Sequence, residues 1–396
     1  MSNIQRIGTL LAVLAGISLQ SFGQDAIKEA LQAIEINSKE LKARRELTNA
    51  QTLEANTGKF LSNPTVEYSH EWGSTSAAGS SDELVVKQQL DFPTVYTNKN
   101  RLAALKGSLY AQEDAAYRQE YLLEAHLLCI ELVYLRKQHA LLTEQRNNAQ
   151  QMSDFFAAKM KAGDANILEV NKVEVELINA QTALRLNATA IGAAERQLQM
   201  LNGGIPLQFS AASYPVTERT YTADSIVQLV LASNPNLKSM ESNVGIAKRE
   251  VSLSRSLSLP KFDVGYRQNV TPGEKFRGIV VGMSIPLFEN RNTVKRAKAQ
   301  QRFAEVQLES TQAKLAAEIR QLYEQATQLQ ESAKLLREQL SQLQGVALLN
   351  KALNLGEISV TSYFVELSSF YQSQQALLDM ERELNRIEAT LYRFEL

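Results

Sequence analysis

The stretch Leu308–Leu343 reads LESTQAKLAAEIRQLYEQATQLQESAKLLREQLSQL, and it decides the fold. Leu308, Leu315, Leu322, Leu329, Leu336 and Leu343 recur at seven-residue spacing. Ile319, Ala326, Ala333, Leu340 and Ala347 each follow one of them by four. Such an a/d pattern, held over five heptads without a proline, predicts a long helix with a coiled-coil seam. A strict seven-residue repeat forces a left-handed supercoil and requires a second helix along the seam. The helix is expected over 290–354, a rod of roughly 100 Å at 1.5 Å per residue. The competing reading is one surface helix of a soluble domain, but such helices rarely hold this many clean heptads. The protein is therefore expected to be elongated.

The whole chain suits long helices. Its 396 residues include only 8 Pro and 18 Gly, and 42 basic residues balance 43 acidic ones, so nothing points to nucleic acid. Cys129 is the sole cysteine, which excludes an internal disulfide. At the start, Arg6 precedes an apolar run from Ile7 to Leu19, with small residues Ser21 and Gly23 after it. This is the pattern of a secretory signal peptide over 1–23, cleaved near Gln24. With no cysteine at the cleavage region, no lipid anchor is expected there. Beyond Gln24 no long apolar run occurs, so a membrane crossing would have to be a β-barrel.

Read onward, the chain runs through one plan twice. Residues 25–61 are predicted helical with a break near Asn37, and Pro64 closes them. Two strands follow in a hairpin over 65–91, then a helix from Asn98 to Met160 and another from Ile167 to Leu201. The first long helix has its own seam: Leu102, Leu109, Ala116, Leu123 and Ile130, with Leu127, Tyr134 and Leu141 interleaved. A linker over 203–222 leads to a short helix and then to Asn234-Pro235, a cap followed by proline at the first helical position. A second hairpin over 262–285, with a turn at Val270 to Arg277, precedes the heptad helix and a last helix from Val360. The pairs Pro64/Pro260, Pro93/Pro286 and Gly163/Gly356 lie 196, 193 and 193 residues apart. A tandem duplication, 24–202 and 223–396, accounts for these offsets. In each half the two shorter helices together match the long one in length, so they could stack end to end beside it and give a full-length pair to a helical tube.

The strands carry the chemistry. Val66, Tyr68 and Trp72 alternate with Thr65, Glu67 and Glu71; Leu84 and Val86 alternate with Glu83 and Lys87. In the second hairpin Phe262, Val264 and Tyr266 alternate with Asp263, Gly265 and Arg267, and Ile279, Val281 and Met283 alternate with Val280, Gly282 and Ser284. One apolar and one polar face, on strands near the nine to eleven residues a tilted membrane strand needs, predict lipid outside and water inside. Four strands cannot close a barrel, and open edges cannot sit in lipid, so several copies must pool their hairpins. Two hairpins packed as a small soluble sandwich are the alternative.

This arrangement resembles the TolC-type outer-membrane efflux proteins over nearly all of the mature chain. The resemblance rests on the repeat, the Asn234-Pro235-Asn236-Leu237-Lys238 run, the Pro-flanked strand pairs, the breaks at Gly163 and Gly356, and Ile285-Pro286-Leu287-Phe288 followed by Asn290 and Arg291. It implies a mainly α fold with a small β part: a duplicated antiparallel coiled-coil α-barrel, and four strands per protomer in a shared trimeric transmembrane β-barrel. It also implies a homotrimer in the bacterial outer membrane, extending into the periplasm. Its partners would be outer-membrane lipid, a periplasmic adaptor (membrane fusion) protein, and an inner-membrane efflux pump or secretion ATPase.

The Gly-marked hairpins would be the periplasmic tips, with Gly163, Asp164, Glu169, Gly356, Glu357 and Ser362 as gate candidates. In the family an acid often sits six residues after the glycine. Glu169 matches, whereas Ser362 departs from the pattern. A lumenal Glu169 would form a ring of three carboxylates in a trimer and favour cations. The plainer reading is an acid favoured by the helix dipole. His70, His126 and His139 are isolated, and neither a phosphate loop nor a nucleophile elbow occurs. No catalytic, metal or cofactor site is therefore expected. The function expected is a passive export duct of a tripartite efflux or type I secretion system. The alternative is a periplasmic adaptor or coiled-coil scaffold, which would not need duplicated strands of membrane length.

Overall fold

The computed structural model describes residues 25–75, 79–215, 221–343 and 345–396, so the expected leader lies outside it. The described residues are mainly helical with a single antiparallel sheet. In order it forms α1 (25–37), α2 (Lys39–Ala55), β1 (Thr65–Trp72), β2 (Ser80–Leu90), α3 (Pro93–Ala162), α4 (Ile167–Leu201), α5 (Ala223–Ser233) and α6 (Pro235–Ser256). Then come β3 (Lys261–Thr271), β4 (Glu274–Ser284), α7 (Thr293–Gln342), α8 (Gly345–Asn354) and α9 (Val360–Leu391). Two compact units are present. One comprises the described residues up to Lys42 with Arg118–Ala232 and Ala316–Leu396; the other comprises Ala43–Tyr117 and Ser233–Leu315. Each draws on both halves of the sequence.

The first unit gathers around the middle of α3. From Tyr121 to Leu135 this helix is buried on almost every side, including Leu122, Leu123, Ala125, Cys129, Ile130, Leu132 and Val133. A helix apolar all round must be enclosed by others. Polar groups fix its neighbours. The break near Asn37 falls at Ser38, whose Oγ accepts from Leu41 N–H and donates to Tyr121; the Tyr121 hydroxyl donates to Leu201 O. Gly203 must be glycine there. Its φ is +68°, and a methyl group on it would lie 2.5 Å from Asn37 O. Arg118 clasps Glu35 with two bonds of 2.6 and 2.8 Å. Glu381 of α9, half-buried, lies between Lys137 of α3 (2.6 Å) and Arg337 of α7 (2.8 Å). Burial raises its pKa, but those two bonds outweigh burial and hold the carboxyl below its usual range.

Lys137 and Glu381 cross between helices, as do Tyr134 and Asp379 (2.8 Å). His126 differs from these. Among the described residues its Nδ1 is buried without a partner, and desolvation lowers its pKa to about 4. Folding therefore excludes a proton that the unfolded chain binds below the ordinary imidazole value of 6.5. Stability is full above that pH and falls as pH drops toward 4, by up to about 3 kcal/mol. His126→Gln is expected to flatten urea midpoints across this window, and an unchanged slope would refute the assignment.

The seam read from the sequence is visible in α7. Leu315, Ile319, Ala326 and Ala333 are buried, and Leu308, Leu322, Leu329, Leu336 and Leu340 are half-buried. The helix does not continue to Asn354 as expected: α7 stops at Gln342 and α8 starts at Gly345, leaving Leu343 exposed. Two causes combine. Glycine is a poor helix former, by about 1 kcal/mol against alanine. The Phe370 ring also occupies the place of a Gly345 side chain, 2.6 Å from where a Cβ would be. The first long helix starts earlier than expected, with Pro93 as its opening residue rather than the end of a strand.

In the second unit, Asn98 of α3 donates to Ser256 Oγ of α6 at 2.8 Å and accepts from Arg249 at 3.2 Å. Asn234 caps α6 by accepting from Leu237 N–H, with Pro235 behind it as predicted. The sheet is ordered β1-β2-β3-β4, so the two hairpins join through β2 and β3 within one chain. The expected loop at 270–277 is instead mostly strand. Thr271 pairs with Glu274 across Pro272 and Gly273, whose fixed and positive φ (+84° for Gly273) turn the chain in two residues.

Candidate functional site: a two-faced sheet and two hairpin tips

Register places the sheet's side chains in rows. Val66, Val86, Tyr266 and Ile279 form one row across four strands; Tyr68 and Leu84 share the next. On the other side of it come Val264 with Val281 and then Phe262 with Met283. Strand alternation puts all eleven apolar residues expected to face lipid on one face, Trp72 at its end. Four rows about 6.6 Å apart, the last of them running on from Tyr68 and Leu84 to Gln268 and Arg277, make a band about 20 Å tall before side chains are added, near the height of a membrane barrel's apolar belt. Trp72 and Ile279 are each 81% exposed, Val281 73% and Val66 69%. A largely apolar face this bare needs a covering medium.

The other face carries Glu67, Ser69, Glu71, Glu83, Lys87, Asp263, Gly265, Arg267, Gly278, Gly282 and Ser284. Arg267 pairs with Glu83 at 2.9 Å. Gly265 lets β2 and β3 approach, since a methyl group there would meet Val86 O at 2.4 Å. β1 and β4 each lack a partner on their outer edge among the described residues.

The tips belong to the first unit and are built alike. After α3, Gly163 has φ +82°; its N–H bonds Met160 O and that of Asp164 bonds Lys159 O. After α8, Gly356 has φ +73°; its N–H bonds Leu353 O and that of Glu357 bonds Ala352 O. Both ends are Schellman motifs, which need a residue tolerant of positive φ. Three residues past each glycine comes an N-cap, Asn166 or Ser359, and three further its capped partner, Glu169 or Ser362. Asn166 accepts from Glu169 N–H at 3.0 Å, and the Glu169 carboxylate accepts from Asn166 N–H at 3.0 Å. That is a capping box. Ser359 accepts from Ser362 N–H at 3.1 Å, with the two hydroxyls 2.9 Å apart. Glu169 thus has a structural task at a helix start, and the acid six residues after the glycine is its outward sign. Asp164 and Glu357 are both exposed.

Beneath the tips, Met152 and Phe156 of α3, Val170 and Val173 of α4, Leu353 of α8, and Val360, Tyr363, Phe364 and Leu367 of α9 pack as one cluster. Tyr363, fully buried, closes a ring of hydrogen bonds. Its hydroxyl donates to Asn350 Oδ1 (2.6 Å) and accepts from Asn148 Nδ2 (2.9 Å), while Asn350 Nδ2 donates to Asn148 Oδ1 (3.2 Å). Sequence reading missed this ring. A signal was present: Asn148 continues the seven-residue series Leu127, Tyr134, Leu141, a polar residue where the seam calls for an apolar one. His70 bonds Asp82 at 2.6 Å and His139 bonds Asn187 at 3.0 Å, each engaged locally.

Residues 226–394 match the family described as outer membrane efflux protein. No curated protein matches the chain in sequence. Among solved structures, the outer membrane protein VceC from Vibrio cholerae has a TM-score of 0.79 at 14% identity, over 95% of this chain and 97% of that one. A membrane protein from Pseudomonas aeruginosa gives 0.77 at 14% identity, over 93% and 90%. The CmeC outer membrane channel of Campylobacter jejuni gives 0.73 at 13%, over 93% and 85%. At such identities the likeness is one of fold.

Proposed function

Because its second half matches the outer membrane efflux protein family in sequence and nearly its whole length has the fold of TolC-type channels, we propose that this chain is the outer-membrane duct of a tripartite efflux or type I secretion system. The observation that carries this reading is the sheet: one bare apolar face, one mostly polar face, and two edges unpaired among the described residues. A hydrocarbon medium covers the first, water wets the second, and further copies satisfy the edges. Three copies give twelve strands. The driving force comes from an inner-membrane pump or secretion ATPase, and the duct supplies only a wet path. The paired tips, with Gly163, Asp164, Glu169, Gly356, Glu357 and Ser362, are the periplasmic end that meets an adaptor.

A coiled-coil adaptor would leave the apolar sheet face without purpose. The test is reconstitution of the purified full chain into planar bilayers, together with fractionation of the producing cells. Discrete conductance steps and recovery with the outer membrane are expected. A protein recovered in the soluble periplasmic fraction that yields no steps would overturn the reading.

A further inference from the structure

We propose that Lys275 and Arg277 form a binding site for the phosphate of an anionic lipid headgroup, at the hairpin end of the sheet's apolar face. The inference rests on reading that face as lipid-covered, and goes on to name what sits at its rim.

Register places both cations on the apolar face. Arg277 shares a row with Tyr68 and Leu84, and Lys275 shares the next with His70 and Asp82. Ile279 is two residues from Arg277 on the same face of β4. Both side chains are exposed, and among the described residues neither makes an ion pair. Asp82 is the one acid on this face, and its Oδ1 is held by Tyr68 Oη at 2.7 Å and His70 Nδ1 at 2.6 Å. The nearby acids Glu83 and Glu274 alternate to the opposite face, where Glu83 already pairs with Arg267.

Position discriminates between a ligand and simple solvation. A cation that only needed water could stand on either face beside the turn. These two stand at the edge of the apolar band, where an unpaired charge is costly and an anion at headgroup depth relieves the cost. The other end of the band, at Leu90, Phe262 and Met283, has no cation on this face. Residues two apart on one strand lie about 6.6 Å from each other, within reach of one phosphate. Arginine supplies a planar fork for two of its oxygens, and lysine a compact third donor.

The test uses the purified full chain in zwitterionic detergent, with bound lipid counted by native mass spectrometry. Phosphatidic acid, phosphatidylcholine and inorganic phosphate are the probes. Lys275→Gln with Arg277→Gln is compared with Lys87→Gln on the opposite face. Wild type and Lys87→Gln are expected to retain phosphatidic acid preferentially, the double variant to lose about fivefold per charge removed, and free phosphate not to compete. Equal retention by the double variant overturns the site while leaving the membrane reading intact. Displacement of the lipid by free phosphate also overturns it, since the site would then not be a lipid's. A wild type that holds no lipid of any kind, phosphatidylcholine included, overturns both.

Discussion

Tyr363→Ala is expected to cost more stability than any other single change at the tips. The side chain is fully buried among Phe156, Val173, Leu353 and Phe364, so its removal leaves a cavity. Large-to-small changes of this kind cost about 3–5 kcal/mol. It also leaves Asn350 Oδ1 and Asn148 Nδ2 each short of a partner, a further penalty of about 1–3 kcal/mol. Tyr363→Phe isolates the polar part: the packing stays, only the hydroxyl goes, and about 1–3 kcal/mol is expected. Denaturant midpoints give the cost, and limited proteolysis near Gly163 and Gly356 reports whether both tips loosen together. Since Asn148, Asn350 and Tyr363 come from α3, α8 and α9, loosening should not be confined to one tip. A Tyr363→Phe protein as stable as the parent would mean that the ring contributes nothing.

The second large effect is expected in β4, from two adjacent residues. Val281→Arg places a charge on the apolar face, and Val280→Arg places the same charge on the polar one. At the mid-depth of a membrane the first costs about 2–4 kcal/mol per copy, and it is incurred in every copy of the assembly. Outer-membrane yield should collapse for Val281→Arg and persist for Val280→Arg. Equal behaviour of the two would contradict the assignment of faces, whatever the oligomeric state.

How much of this was legible depended on whether the deciding contact was local. β1 is legible to the residue because alternation runs unbroken from Thr65 to Trp72 between Pro64 and a Gly/Ser loop. β4 was read short. Beyond the apolar band its residues turn polar, which resembles a loop, yet the ladder hydrogen bonds continue to Glu274. That the hairpins join depends on pairs such as Val86 with Tyr266, far apart in sequence and invisible to periodicity. Gly345 is kept free of a side chain by the Phe370 ring, a residue outside any window that would judge it. At the tips, the Gly-plus-six position is visible in the sequence, but its capping role depends on a reciprocal bond to Asn166 that spacing alone does not separate from a lumenal ring. The buried Asn–Asn–Tyr ring needs three helices at once, and only Asn148 betrayed it by interrupting a seam.

Under the proposed function, other copies of the same chain complete the outer edges of β1 and β4. The mass of the detergent-solubilised, unheated protein, measured by light scattering with the detergent subtracted, tests it most directly. Three times the protomer mass is predicted; a single-chain mass in a particle that stays dispersed without detergent would contradict it.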